Sequence, residues 1–259
     1  MTRLVIVGGG TAGTMLANTL VTRRPDWQIT VVDSDDKHIY QPGLLFLAFK
    51  GKPSQYVRSR RAQLHADVHH EQSEVTRINR EARRVELADA PHLDYDLLVI
   101  ATGTQPRPES VAGLTDPAIW RVSAFDFYTL DGATALQQAL RDFTGGRLLV
   151  HISEMPIKCP VAPLEFALLA DDHFRKRGIR HKVDITFVTP LDGAFTRPVA
   201  KSVLGDLLVD RRIRSAPDFA VERVDPQAST LNSYDGRALP FDLLVTVPPN
   251  LGAPGEAAT

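Results

Sequence analysis

Three glycines, one aspartate and one cysteine are the residues of this 259-residue chain whose types and spacing point most directly to chemistry. Gly8, Gly10 and Gly13 form G-x-G-x-x-G directly after the apolar run Leu4-Val5-Ile6-Val7. That spacing suits a dinucleotide pyrophosphate: the first glycine permits a tight turn, the second lets the backbone approach phosphate, and the third lets helix and strand pack closely. The helix that follows would offer unpaired N–H groups and the positive end of its dipole to the anion. Asp33 lies twenty residues beyond Gly13, at the end of the next β-branched run, where a carboxylate accepts hydrogen bonds from ribose hydroxyls and repels a 2′-phosphate. The plainer readings are a glycine turn that only packs a helix on a sheet and a surface acid after a strand. The joint presence of strand, helix and acid favours binding.

Cys159 is the single cysteine, which excludes an intrachain disulfide and a multi-cysteine metal site. It precedes a helix expected to start near Pro163 and to run through Phe166, Leu168, Leu169 and Phe174 towards Gly178. A helix N-terminus and the neighbouring Lys158 both stabilise a thiolate. Glu165, in the first turn, is placed to relay protons, and its plainer role is to complement the helix dipole. A lone cysteine is otherwise most often a small buried apolar residue. No metal site is expected, since His69-His70 lacks ligand spacing.

The elements that must position these residues follow from periodicity. Short β-branched runs alternate with helical stretches, the pattern of a parallel sheet with crossover helices. Thr11 to Arg24 reads as the first helix, with Met15, Leu16, Ala17 and Leu20 available to one buried face and Pro25 stopping it; Ile29 to Val32 reads as the second strand. Lys plus Arg number 30 against 31 Asp plus Glu, so the net charge of −1 provides no field for nucleic acid or an anionic membrane. The basic runs Arg58-Ser59-Arg60-Arg61 and Arg211-Arg212-Ile213-Arg214 read as solvated faces or turns. The N-terminus lacks a signal-peptide core and no long apolar stretch occurs, so a soluble, cytoplasmic chain is expected.

The sequence also repeats itself. Val75-Thr-Arg-Ile-Asn-Arg-Glu-Ala is echoed by Val221-Glu-Arg-Val-Asp-Pro-Gln-Ala 146 positions later, and Tyr95-Asp-Leu-Leu-Val by Phe241-Asp-Leu-Leu-Val at the same offset. Arg3-Leu-Val-Ile resembles Arg147-Leu-Leu-Val at an offset of 144. Three matches in one order predict two related dinucleotide-type halves. Residues 1–108 are expected to form the first, 109–248 the second, and 249–259 a flexible tail, with Gln105-Pro106-Arg107-Pro108 as an extended crossover.

The run Tyr95-Asp-Leu-Leu-Val-Ile-Ala101-Thr102-Gly103, a hydrophobic strand ending in Ala-Thr-Gly, resembles the second FAD fingerprint of the two-dinucleotide-binding-domain flavoproteins. Lys158-Cys-Pro-Val-Ala-Pro-Leu-Glu165 is similar to the redox-cysteine segment of sulfide:quinone oxidoreductases and of the flavin subunit of flavocytochrome c sulfide dehydrogenase, and Tyr40-Gln-Pro-Gly-Leu-Leu-Phe46 to the stretch that runs under their flavin ring. The resemblance covers nearly all the chain. It implies an α/β fold of two Rossmann-like, FAD/NAD(P)-binding three-layer domains, with FAD held by Gly8, Gly10, Thr11, Ala12, Gly13, Asp33, Pro42, Val75, Ala101, Thr102 and Gly103. It further implies that Cys159, assisted by Glu165, takes up sulfide or a thiol as a persulfide while electrons pass through FAD to a quinone.

Two departures from the pattern are visible. Ile152-Ser-Glu-Met-Pro-Ile-Lys-Cys-Pro-Val161 has no glycine where NADH-using relatives carry a second fingerprint, so NADH is not expected there and an NADH:quinone dehydrogenase is the weaker alternative. In the family the chain also returns to the FAD domain with a Gly-Asp, a second cysteine and apolar helices. This sequence reaches Thr259 before them, which fits a C-terminally incomplete fragment, or a short homologue with weakened flavin binding and altered or absent turnover. Membrane contact is expected only through such a missing region, and homo-oligomerisation stays open.

Overall fold

The computed structural model describes residues 1–252. Among the described residues five α-helices are formed: α1 (Thr11–Arg23), α2 (Gly43–Leu47), α3 (Leu130–Asp142), α4 (Ala162–Lys176) and α5 (Pro198–Asp210). The described residues divide into two units, one of Met1–Tyr40, Ser54–Gln105 and residues 251–252, the other of Gln41–Pro53 with Pro106–Asn250.

In the first unit a four-stranded parallel sheet runs His69–Gln72, Trp27–Asp33, Thr2–Val7, Leu97–Ile100 in spatial order. Alternation along the strands splits its core. Leu4, Ile6, Ile29 and Val31 pack with Ala17 and Val21 of α1, while Val5, Val7 and Val32 pack with Val85 and Tyr95 on the other face. That second face is covered by a three-stranded antiparallel layer of Val75–Asn79, Arg84–Leu87 and Leu93–Asp94. Helix, parallel sheet and antiparallel layer make three layers.

The second unit repeats the plan. Its parallel sheet runs Ala124–Phe125, Leu243–Val247, Gly146–Ile152, Val183–Val188, Arg214–Ala216, and its antiparallel layer is Val221–Asp225, Thr230–Ser233 and Ala238–Pro240. The echoed segments occupy equivalent places. Val75/Arg77 and Val221/Arg223 carry the same register irregularity at the start of each antiparallel layer. The backbone N–H of Arg3 donates to Asp96 Oδ2 at 2.7 Å, and the N–H of Arg147 to Asp242 Oδ2 at 2.7 Å. Asp96 and Asp242 each return a backbone bond to the arginine carbonyl at 2.9 Å. The bond from the arginine side chain is the leading reason both carboxyls lie below the usual range.

Several expectations need correction. Met15 is 65% exposed, and the buried face of α1 is Gly13, Thr14, Ala17 and Val21. The difference is one of helical phase: positions 13, 17 and 21 recur every four residues, and Met15 falls opposite them. Asn250–Gly252, expected in the flexible tail, form a short strand; the remainder of that tail lies outside the described residues. Arg60 is no solvated residue of a basic run but is 5% exposed.

Candidate functional site

The glycine turn lies at the C-terminal end of Thr2–Val7, in the centre of the first sheet. Gly8 has φ +100°, and a Cβ there would stand 2.5 Å from the carbonyl oxygen of Ala101. A Cβ on Gly13 would collide with the Gly8 carbonyl oxygen, so both glycines are needed for the turn and helix to close. Gly10 differs. It caps α1 with φ −68°, its added Cβ would meet nothing within 4 Å, and neither a side-chain cap nor an acidic residue occupies the first turn. The helix N-terminus is thus open on the side where Gly10, Thr11 and Ala12 reach the surface.

Ala101 and Thr102 follow Leu97–Ile100 beside the turn, with the Ala101 N–H donating to Val7 O at 2.7 Å. Gly103, at φ +71°, likewise leaves the space of its missing Cβ open. Asp33 ends Trp27–Asp33; its Oδ2 accepts the Gly9 N–H at 2.7 Å and pairs with Arg60 Nη1 at 2.8 Å. The carboxylate is therefore fixed to the turn rather than loose on the surface. Val75 begins the antiparallel layer and packs against Val5, Val7 and Val32. The unit thus brings Gly8, Gly10, Thr11, Ala12, Gly13 and Asp33 to one turn, with Ala101 to Gly103 alongside. A small cavity lined by Arg3, Gln28, Thr30, His92 and Asp94 sits at the opposite ends of the same strands and includes none of them.

Pro42 belongs to the second unit, where it is the exposed N-cap of α2. This excursion is tied down by Gln41 Nε2 donating to Tyr128 O at 3.3 Å, by Gln137 Nε2 donating to Leu47 O at 2.6 Å, and by Phe49 against Phe166 with centroids 4.9 Å apart.

Cys159 is exposed, on the loop between Gly146–Ile152 and α4, at φ +49°. A non-glycine residue in the left-handed region costs energy unless its surroundings hold it there. Tyr128 does so: its phenol donates to Lys158 O at 2.6 Å and to Cys159 O at 3.1 Å, and Ala162 N–H donates to Cys159 O at 3.0 Å. Tyr128 is itself set by Asp126, 1% exposed, whose Oδ1 accepts the N–H groups of Tyr128 and Thr129, each at 2.8 Å. Burial first, then the charges of Cys159 and Glu165, push the Tyr128 hydroxyl well above its ordinary range, so it stays a donor. Tyr128 therefore links three elements: the Pro42 segment through its carbonyl, the Cys159 loop through its hydroxyl, and Glu165 electrostatically. Glu165 lies exposed in the first turn of α4, which has no side-chain cap. Burial lowers Lys158, which weakens the support it lends to a thiolate.

Residues Ser153–Val161 fill the place that Gly8–Gly10 hold in the first unit, with Ser153 buried and no glycine to admit a phosphate. Sequence reasoning missed Arg60 and Tyr128. Arg60 was masked by its basic neighbours, and Tyr128 by an aromatic run, Phe125-Asp-Phe-Tyr128, that reads as plain core. Among the described residues no cluster of metal ligands occurs, and no helix is long and apolar enough to cross a membrane.

Two Rossmann-like halves, the first with an intact glycine turn and acid and the second with a thiol loop in its place, define a nucleotide-dependent redox protein of the doubled-domain class. The chain belongs to the pyridine nucleotide-disulphide oxidoreductase family, whose model matches residues 2–246 and whose members are FAD-binding flavoprotein oxidoreductases. It is 25% identical over 253 residues to the mitochondrial sulfide:quinone oxidoreductase of Mus musculus, covering 95% of this chain and 56% of that protein. The sulfide-quinone reductase of Aquifex aeolicus is 27% identical, covering 90% of this chain and 54% of that protein. In structure, the chain resembles the sulfide:quinone oxidoreductase of Aquifex aeolicus with a TM-score of 0.84 at 22% identity, over 98% of this chain and 60% of that one. It resembles the putidaredoxin reductase–putidaredoxin complex with a TM-score of 0.71 at 24% identity, over 96% of this chain and 58% of that one. The chain thus spans somewhat more than half the length of each of these relatives.

Proposed function

We propose that the chain is a sulfide:quinone oxidoreductase-type flavoprotein that binds FAD in its first unit and uses Cys159 to oxidise sulfide. The observation that carries this reading is the exchange of one turn for another: the open Gly10 and Gly103 cradle is kept in the first half, while the second half holds a pinned, exposed thiol instead. Gly8, Gly10 and Gly13 would seat the pyrophosphate at the N-terminus of α1, and Thr11 and Ala12 would present the first free N–H groups. Asp33 would accept from the adenosine ribose through Oδ1, since the Gly9 N–H and Arg60 both meet it at Oδ2. As the resemblance implies, Val75 would lie against the adenine, with Ala101 to Gly103 beside the dinucleotide.

When bound, FAD supplies a two-electron acceptor. The chain's own part is sulfur chemistry. The Cys159 thiolate and hydrosulfide would form one S–S bond to give a Cys159 persulfide, releasing one proton and two electrons; bound FAD would supply the acceptor for that electron pair, and a quinone would be the final oxidant. Glu165, exposed in the first turn of α4, would take the proton. Tyr128 keeps the loop carbonyls engaged and so restrains the exposed thiol.

The test is a visible absorption spectrum of the FAD-loaded protein before and after anaerobic sulfide. Bleaching of the flavin band in the wild type and its loss in Cys159→Ser is the expected result. Equal bleaching in both proteins would refute the role of Cys159, and rapid bleaching by NADH would instead favour the NADH dehydrogenase alternative.

A further inference from the structure

Arg60 is the most thoroughly engaged cation near the glycine turn, and no reading of the sequence assigns it a part. It is 5% exposed. Its Nη1 lies 2.8 Å from Asp33 Oδ2; its Nη2 donates to Asp35 Oδ1 at 2.9 Å and to Lys37 O at 2.7 Å; its Nε donates to Asp35 O at 3.0 Å. The backbone closes the same arrangement, with Arg60 N–H donating to Asp36 O at 2.8 Å. Its aliphatic stem lies over Gly9, where a Cβ would collide with Arg60 Cδ, and the Gly9 N–H donates to the same Asp33 Oδ2 at 2.7 Å.

A guanidinium is a planar fork whose N–H directions are fixed relative to one another. With Nε and Nη2 committed to Asp35 and Lys37, the guanidinium is fixed with Nη1 in ion-pair contact with Asp33 Oδ2. One oxygen of Asp33 is thereby held between the Gly9 N–H and the Arg60 charge, which leaves Oδ1 as its acceptor for a ligand. Asp33-Ser34-Asp35-Asp36 also concentrates negative charge beside a turn meant for phosphate, and the buried arginine offsets it.

We propose that Arg60 is a positioning residue for the adenosine ribose: it aligns Asp33 so that affinity for an adenine nucleotide depends on the ribose hydroxyls. This rests on the dinucleotide reading of the first unit and adds to it a residue and a specificity.

The experiment is titration calorimetry of the full chain with ADP and with 2′-deoxy-ADP, in the wild type, Arg60→Met, Asp33→Asn and the double variant. A hydrogen bond to a charged acceptor corresponds to roughly tenfold in affinity, so the wild type should prefer ADP by about that factor. Arg60→Met should shrink the preference to about threefold or less, and it should have no further effect on the preference in the Asp33→Asn background. Arg60→Lys keeps a charge near Asp33 but cannot reach Asp35 and Lys37 together, so it should restore only part of the preference; it also serves if the methionine variant does not fold. Loss of thermal stability with an unchanged ribose preference in Arg60→Met, or in Arg60→Lys where that variant stands in, would make Arg60 a structural clamp and overturn the inference alone. A wild-type chain that binds neither ADP nor FAD would overturn the dinucleotide reading and this inference with it.

Discussion

Replacing Gly8 and Gly10 separately by alanine should produce opposite phenotypes. At Gly8 the added methyl faces the Ala101 carbonyl at 2.5 Å and the backbone sits at φ +100°, so alanine meets both a steric and a conformational penalty. Holding an alanine in such a region costs about 1–3 kcal/mol, and relief of the backbone clash adds to it. For a chain of this size, each kcal/mol lowers Tm by roughly 2–4 °C, so a loss of about 5–10 °C is expected in the FAD-free protein. At Gly10 the methyl enters open space at φ −68°, which alanine adopts freely. The lower N-cap preference of alanine and its lower unfolded-state entropy are similar in size and opposed, so stability should change by less than about 0.5 kcal/mol. FAD affinity should nevertheless fall at least about tenfold, because the methyl occupies the approach of the pyrophosphate, and one lost charge-assisted bond corresponds to about 1.5–3 kcal/mol. Urea unfolding of the FAD-free variants and fluorescence titration with FAD separate the two effects. A Gly10→Ala protein that binds FAD as the wild type does would falsify the claim that this turn cradles phosphate and leave it a packing device.

Two further outcomes follow from the second unit. Tyr128→Phe removes the donor to Lys158 O and Cys159 O, so the loop should loosen: stability is expected to drop by about 1–2 kcal/mol, and alkylation of Cys159 by iodoacetamide to quicken, whereas an unchanged labelling rate would show that the phenol does not restrain the thiol. His151 is fully buried with Nδ1 3.0 Å from Thr246 Oγ1, and burial pushes its pKa down to about 3. The unfolded chain binds that proton near pH 6.5 and the folded chain does not, so the stability linked to neutral His151 is present above pH 6.5 and is lost progressively as pH falls towards 3. His151→Leu should flatten this part of the urea-midpoint profile between pH 6.5 and 4; an identical slope in both proteins would place the acid sensitivity elsewhere.

Much of the fold was legible because it is written locally. The apolar run Leu4–Val7, the glycines at fixed offsets and the terminal Asp33 are contiguous signals, and the strand and turn that they imply depend on backbone sterics and hydrogen bonding within a few residues. The internal echo was legible for the same reason. Each repeat carries its own strand, register irregularity and Arg–Asp tie, and a conserved tie needs the same residue types at the same spacing in both halves.

What only the tertiary structure decided are the pairings made across long stretches of chain. Residues 41–53 pack with the second unit, although they sit in sequence among residues of the first, because Gln137, Phe166 and Tyr128 offer them partners some ninety or more positions away. Arg60 reads in the sequence as one of several surface cations, whereas the fold buries its guanidinium against Asp33 and Asp35. Tyr128 closes an aromatic run in the sequence, and only the fold brings its hydroxyl to the carbonyls of the Cys159 loop. Side-chain hydrogen bonds of this kind have no period and no fixed spacing. Their geometry exists only after the backbone has brought the donors and acceptors within about 3 Å of each other, so a sequence contains the groups but not the pairing.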